Sequence, residues 1–491
     1  MRGILLATIN AKWIHPSLAL RLLKANLGPL EERCEIMEFA LRQPLREKTE
    51  PILAARPRIL GLSVSIWNLT ATLELLKELW KIWEGEGMGS CPRPFVVLGG
   101  PEVSYLPEDA EIFQYADCRV LGEGETAFRE LCGAVFDGMD PGAGDRLLSG
   151  AGKHLLVVNR EFGQVDVSAI KSGYGLYTDE DLRKKLTYVE ASRGCPYSCE
   201  FCLSACDAKV REFPLEPFLE EMRGLILRGT RTFKFLDRSF NLNTERARRI
   251  MEFFLEHFEG ANPQTSAGNP PFTVHFEMVP FRFPPELMET IARFPPGSLR
   301  LEIGIQTLNP EVSALIGRPS YPTRELETLR LLRRETNAII HADLIAGLPG
   351  EDMASFGKGF DLLWEVLSQS TGNPSEPHPL VEVQLGILKL LPGAPIARHS
   401  AAFGMIYNQS PPYEVTETAA VPARDLDRIK NFARFWELIV NRGLAEPGPS
   451  PVFDRFMTLA DSLLARFGRN WGIPKAELLD ALCGQTCFSD G

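Results

Sequence analysis

The stretch EASRGCPYSCEFCLSACD, residues 190–207, holds four of the chain's ten cysteines: Cys195, Cys199, Cys202 and Cys206. The first three stand in C-x3-C-x2-C spacing, so one short loop can turn three sulfurs toward a common centre. A structural zinc site wants four protein ligands in a closed tetrahedron, commonly from two C-x2-C pairs. No second pair is nearby, and Cys483 and Cys487 stand far along the chain. An iron–sulfur cluster held by three thiolates instead leaves one iron without a protein ligand, free to bind a small molecule. Cys206 either closes such a cluster or is a free thiol a turn further on, and free cysteines are commonly inert packing residues. Phe201, just before the last of the three, is placed to shield a cluster.

The cysteine stretch follows a β-like run, LTYVEAS (186–192), and more such runs come after it: TFKFLD (232–237), FTVHFEMV (272–279), LRLEIGIQ (299–306), IIHADLIAG (339–347) and VEVQLGILKL (381–390). Helical segments separate most of them, which predicts a partial parallel barrel over 186–400, with functional groups at the carboxyl ends of its strands. Upstream, GILLATIN (3–10), CEIMEF (34–39), RILGLSVSI (58–66), PFVVLGG (94–100) and CRVLGEG (118–124) alternate with amphipathic stretches such as SLALRLLKANL and ATLELLKELWKIW. They predict a five-stranded, doubly wound unit over 1–140 whose ligand sits beyond the strand ends TINAKWIH, SIWN, GGP and GEGE. The Gly-rich FDGMDPGAGDRLLSGAGK (136–153) opens a stretch, 141–185, that reads as a linker. After residue 400, ARDLDRIKNFARFWELIVNR and VFDRFMTLADSLLARF predict a small helical domain over 401–491.

A chain of 491 residues is too long for one ordinary core and predicts two or three domains. With 44% apolar and 24% charged residues it has the composition of a globular protein. A net charge of −11 argues against a general nucleic-acid-binding surface, and RELETLRLLRR (324–334) reads as a solvated helix face. The start MRGILLATIN reads as a first strand and not as a signal peptide, and no apolar run approaches membrane-spanning length. The cytoplasm, where thiols stay reduced, is the expected compartment.

RGCPYSCEFC (193–202) resembles the signature of the radical S-adenosylmethionine (SAM) superfamily, in which C-x3-C-x-aromatic-C binds a [4Fe–4S] cluster. LEIGIQTLNPEVSALIGR (301–318) and DLIAGLPGED (343–352) are similar to the fourth and fifth strands of the branch with methylthiotransferases and coproporphyrinogen dehydrogenases, and LKLLPGAPI (388–396) to its sixth. VVLGGPEVSYLPE (96–108) followed by ADCRVLGEGETAF (116–128) resembles the cobalamin-binding domain that precedes the radical SAM domain in cobalamin-dependent members. ILLATINAKWIHPSLALRLLKANL (4–27), GLSVSIWN (61–68) and YEVTETAAVPARDLDRIKNFARF (413–435) resemble the subgroup with a C-terminal domain of unknown function.

The resemblance implies an α/β chain: a doubly wound, Rossmann-like cobalamin-binding domain, a partial (β/α)6 radical SAM barrel, and a small α-rich C-terminal domain. It implies three cofactors, a [4Fe–4S] cluster on Cys195, Cys199 and Cys202, SAM, and cobalamin, with an electron donor such as flavodoxin or ferredoxin. SAM contacts are expected at Phe201, Asp237, Ser239, Glu302, Gln306, Arg318 and Asp343. Glu302 and Gln306 share a strand face by period two, and a guanidinium at 318 suits a carboxylate. Cobalamin contacts are expected at Asn10, Lys12, Ser63, Ser65, Trp67, Asn68, Gly99, Gly100, Gly122, Glu123 and Gly124. The D-x-H-x-x-G turn of methionine-synthase-type domains is replaced by NAKWIHPSLA, with Asn10 and Lys12 where Asp and His are expected. His15 reads as a loop or capping residue, so cobalt is expected to lack a protein ligand. The implied activity is reductive cleavage of SAM to a 5′-deoxyadenosyl radical and methylation of an unactivated carbon. Oxidative cyclisation or rearrangement with the same cofactors, and an iron–sulfur or corrinoid sensor, are the alternatives. Tyr188, Tyr197, His275 and His341 are open between substrate contacts and packing residues.

Overall fold

The structure, a computed structural model, describes residues 3–85, 93–138, 146–148, 154–259, 270–369 and 381–483. Cys487 and most of the Gly-rich stretch lie outside them. The chain forms two compact units, residues 1–189 with 212–232, and residues 190–211 with 233–491.

In the first unit β1 (Ile4–Asn10), β2 (Cys34–Ala40), β3 (Ile59–Ser63), β4 (Phe95–Gly99), β5 (Cys118–Val120), β6 (Arg146–Leu148) and β7 (His154–Val158) form one sheet in the order β2-β1-β3-β4-β5-β7-β6. All neighbours pair in parallel except β6 with β7. Every residue of β1 is buried because helices cover both faces. Leu5, Ala7 and Ile9 pack with Leu75, Leu76 and Leu79 of helix Leu69–Glu84 on one side. Ile4 and Leu6 pack with Leu20, Phe128 and Leu131 on the other.

Residues 141–185, expected as a linker, supply β6 and β7, and β7 extends the parallel sheet from β5. The apolar run HLLVV is short and adjoins a Gly-rich stretch, which hid it. The described residues after β7 are also bound into the unit. Arg21 pairs with Glu38 at 2.9 Å and Asp181 at 3.0 Å, with its guanidinium 4.5 Å from the Tyr177 ring centre.

The second βα series begins with β8 (Thr187–Val189), and the two-residue strands β9 (Ser192–Arg193) and β10 (Arg211–Glu212) flank the cysteine loop. In the second unit β11 (Thr232–Phe235), β12 (Thr273–Met278), β13 (Leu299–Gln306), β14 (Ile339–Ala346) and β15 (Val381–Ile387) lie side by side in sequence order. The pairs from β12 to β15 are parallel. Alternation divides the faces: Val274, Phe276, Leu301, Ile303, Ile340 and Ala342 are fully buried, while His275, Glu277, Arg300, Glu302, His341 and Asp343 take the opposite face.

The C-terminal region belongs to this second unit. Helix Ala423–Trp436, continued by a π turn at Glu437–Asn441, and helix Phe453–Phe467 share an aromatic core with helix Met353–Leu367 through Phe360, Phe432, Trp436, Phe453 and Phe456. The α-rich region also carries a short hairpin, β16 (Ile406–Tyr407) with β17 (Val415–Glu417). β15 ends the sheet order, and the Asn441 side chain covers this edge: its carbonyl accepts the Val383 N–H and its amide donates to the Val383 carbonyl, both at 3.1 Å. A side-chain amide thus replaces a neighbouring strand. Asn441→Ala orphans two peptide groups and is expected to destabilise the second unit by about 1–3 kcal/mol, read as a lower urea midpoint of the full chain.

Candidate active site

The cysteine loop starts where β8 ends and is fixed from both sides. The Ala191 N–H and the Ser192 hydroxyl donate to the Asp237 carboxylate at 2.9 and 2.6 Å. Burial pushes Asp237 up to about 7 despite these bonds. Gly194 has φ 89°, and a Cβ there would overlap the Lys209 carbonyl, so the turn admits only glycine. The next N–H, of Cys195, donates to the Asp207 carbonyl at 2.9 Å. Further on, the Glu200 N–H donates to the Ile316 carbonyl and the Ile396 N–H to the Glu200 carbonyl, each at 3.0 Å. The buried Glu200 carboxylate meets Arg398 Nε and His399 Nε2, both at 2.9 Å.

Cys195, Cys199 and Cys202 thereby border one cleft of about 190 Å3. Among the described residues no three His, Cys, Asp or Glu side chains close on a single ion. Three thiols spaced around a cavity suit a polynuclear cluster better than a zinc ion, whose ligands must meet at one point. Cys206 is exposed and lies off the cleft. Burial pushes the Cys195 and Cys199 thiols up, opposed at Cys195 by the Tyr197 N–H and the Ser239 hydroxyl and at Cys199 by Arg318. A bound metal would supply the charge that makes them thiolates.

Of the expected SAM residues, Phe201, Glu302, Gln306, Arg318 and Asp343 border the cleft. Ser239 stands beside Cys195. Asp237 does not reach the cavity; it braces the loop from beneath, a role the sequence reading did not assign. Gln306 holds φ 69° at a bulge after Gly304, strain of the kind that collects at ligand sites. Arg318 donates to the Gly304 carbonyl and lies 3.8 Å from Cys199 Sγ. Tyr197 is on the cleft wall, with Arg238, Glu277 and Phe281, which sequence reasoning missed. The signal for Glu277 was its place on the same period-two face as His275.

Below the cleft the polar sheet face is a ladder of charges. Glu302 contacts Lys234 at 3.3 Å and His275 at 3.0 Å. Burial would raise Glu302, but the hydrogen bond to His275 and the Lys234 ammonium hold it down at about 2. Burial lowers His275 itself.

In the first unit the strand order reverses between β1 and β3, the switch point at which such sheets bind ligands. Trp13, Ile14 and Trp67 are exposed just beyond these two strands, with Lys12 beside them, and space over Gly99 is open. Exposed indoles and an uncrowded glycine fit a broad corrin-like ring. Several expected cobalamin residues are committed to the fold instead. Asn68 is fully buried, donating to the Ile9 carbonyl at 2.9 Å and accepting the Ser65 N–H at 2.8 Å. Ser63 offers its carbonyl to Thr8 and Asn68, and the Asn10 amide donates to Glu38. Glu123 accepts the Val165 N–H at 2.7 Å. Gly100, at φ 106°, passes too close to Val64 for any Cβ, and Gly122 (φ 63°) and Gly124 pack against Phe162 and Leu23. His15 Nδ1 lies 2.7 Å from the Tyr188 hydroxyl, which engages both.

A doubly wound sheet with an open switch point, followed by a sheet whose first loop presents three cysteines to a cleft, defines an α/β protein with two candidate ligand sites. Residues 4–132 match the family model of the B12 binding domain and residues 189–363 that of the Radical SAM superfamily. The chain therefore belongs to the radical SAM superfamily, in the group with a B12-binding domain ahead of the radical SAM domain. It is similar to the ribosomal protein uS12 methylthiotransferase RimO of Porphyromonas gingivalis, 25% identical over 42% of this chain and 48% of that one. It is also similar to 2-(S-pantetheinyl)-carbapenam-3-carboxylate methyltransferase of Streptantibioticus cattleyicolor, 27% identical over 69% of this chain and 48% of that one. The chain thus spans about half the length of these curated relatives. The fold is that of the radical SAM methyltransferase TsrM of Kitasatospora setae, at TM-score 0.61 and 18% identity, covering 86% of this chain and 81% of that one. The domains imply a [4Fe–4S] cluster, SAM and cobalamin, and both sites fit them. No helix among the described residues is long and apolar enough to cross a membrane.

After anaerobic reconstitution, Cys199→Ala is expected to lose its bound iron and acid-labile sulfide while Cys206→Ala keeps both. The opposite result would reassign the ligands.

Proposed function

We propose that this protein is a cobalamin-dependent radical SAM enzyme that cleaves SAM reductively and methylates an unactivated carbon. The observation that carries this reading is the cleft, bordered by three cysteines together with the Glu277, Glu302 and Asp343 carboxylates and Arg318, a set suited to an iron–sulfur cluster and a zwitterionic, sulfonium-bearing ligand. Bound there, the cluster supplies one-electron reduction, and cobalamin supplies a transferable methyl group.

The chain's own residues do the rest. Cys195, Cys199 and Cys202 hold the cluster, and Phe201 screens it from water. Glu302, held ionised by Lys234 and His275, faces the ammonium or ribose of SAM, and Arg318 takes its carboxylate. Gln306, aimed by its left-handed backbone, and Asp343 add hydrogen-bonding capacity from neighbouring strands. Ser239 tunes the Cys195 sulfur, and Asp237 keeps the loop in place. In the first unit Lys12, Trp67 and the open backbone at Gly99 would hold the corrin, with Trp13 beside them. His15 is engaged by Tyr188 and would serve the loop rather than the cobalamin. An electron donor of the flavodoxin or ferredoxin class completes the system in a reducing cytoplasm.

Anaerobic protein reconstituted with iron, sulfide and cobalamin is expected to convert SAM to 5′-deoxyadenosine with dithionite, and to transfer label from methyl-labelled SAM to a carbon acceptor. Nucleoside formation without methyl transfer to any acceptor would favour oxidative rearrangement. Absence of the nucleoside would remove the enzymatic reading.

A further inference from the structure

The polar face of the second sheet holds more ionisable groups than the cleft uses, and they are joined. His341, on β14, sits between two carboxylates: Nδ1 is 2.9 Å from Glu382 Oε2 on β15, and Nε2 is 3.1 Å from Asp343 Oδ1 on its own strand. Arg300, on β13, pairs with Glu382, its Nη1 lying 2.9 Å from Oε1, and so fixes the outer end of the row. Asp343, at the inner end, borders the cysteine cleft. Its buried Oδ1 meets His341 Nε2 at 3.1 Å, and its other oxygen and remaining lone pairs are available to a ligand in the cleft.

We propose that His341 is a positioning residue that keeps the Asp343 carboxylate ionised and turned toward the cleft, where Asp343 accepts a hydrogen-bond donor of bound SAM. This rests on the reading of the cleft as a SAM site. The physical case begins with burial, which alone pushes Asp343 up and favours its neutral form. An adjacent imidazolium opposes that push without cancelling it, so Asp343 depends on His341 to hold its charge, and Glu382 stabilises the imidazolium from its other side. The remaining groups facing His341 from adjacent strands are Arg300, which opposes its charge, and Glu302, which favours it; Lys234 on β11 and His275 on β12 act on the row through Glu302. Burial opposes the histidine's charge too, but the two carboxylates win and hold His341 at about 9. Its folded value lies above the ordinary histidine range, so the cation persists through neutrality and is lost as pH rises through about 9.

The test follows 5′-deoxyadenosine formation by the reconstituted full chain against SAM concentration and pH, with iron content and circular dichroism confirming folded variants. In the wild type KM for SAM is expected to climb above pH about 9. His341→Gln should raise KM about tenfold at neutral pH with kcat little changed, and abolish that alkaline limb. His341→Lys, which restores a cation, should recover most of the loss. His341→Gln combined with Asp343→Asn should be no worse than Asp343→Asn alone, because one residue acts through the other. An active wild type whose KM and pH profile are unmoved by His341→Gln, or multiplicative losses in the double variant, would overturn the inference while leaving the SAM site standing. A wild type that forms no nucleoside would instead bring down the reading of the site on which the inference rests.

Discussion

The second unit depends on how residues 190–207 are held. Three thiols can face one cavity only if the loop between them has no freedom to let each sulfur seek its own environment. Nearly all the restraint is short-range and polar: Asp237 fastens the start, the Asp207 carbonyl receives Cys195, and Glu200 is gripped by backbone on two sides and by Arg398 and His399. Gly194 lets the chain enter this arrangement, since any side chain there would strike the backbone at Lys209. A site for a cluster must be preorganised in this way, because thiols without metal gain nothing from being close and, when buried, resist ionisation.

The sheet behind the loop divides its labour by the pleat. One face is filled by Val, Ile, Leu and Phe against the helices, and the other carries acids and bases that neutralise one another in rows running across the strands. Such rows are costly to desolvate unless each charge finds a partner. Here they do, and the groups bordering the cleft keep capacity for a ligand. The C-terminal helices share the aromatic core of this unit, and Asn441 closes the end strand.

The first unit solves a different problem with a parallel sheet covered on both faces. Its switch point bears exposed indoles and an unobstructed glycine where a broad ligand would lie, whereas the polar residues nearby are mostly spent on the fold. Asn68 illustrates this: its position at a strand end marks a binding residue, but its amide is the stitch that joins the ends of β1 and β3.

Much of this was legible in the chain itself. Period-two alternation located LRLEIGIQ at the bounds of β13, and the C-x3-C-x2-C spacing marked the loop, since both are local properties of consecutive residues. HLLVV was lost because a strand so short becomes one only by pairing with β5, a partner distant in sequence. The bracing role of Asp237 was hidden for the same reason, its carboxylate being engaged by residues 45 and 46 positions away. The sequence by itself determined which elements form and which sulfurs are available, because spacing and periodicity are carried by neighbours along the chain. Only the tertiary structure decided which polar groups face the cleft and which are consumed in holding it, because that depends on hydrogen bonds and charges brought together across strands.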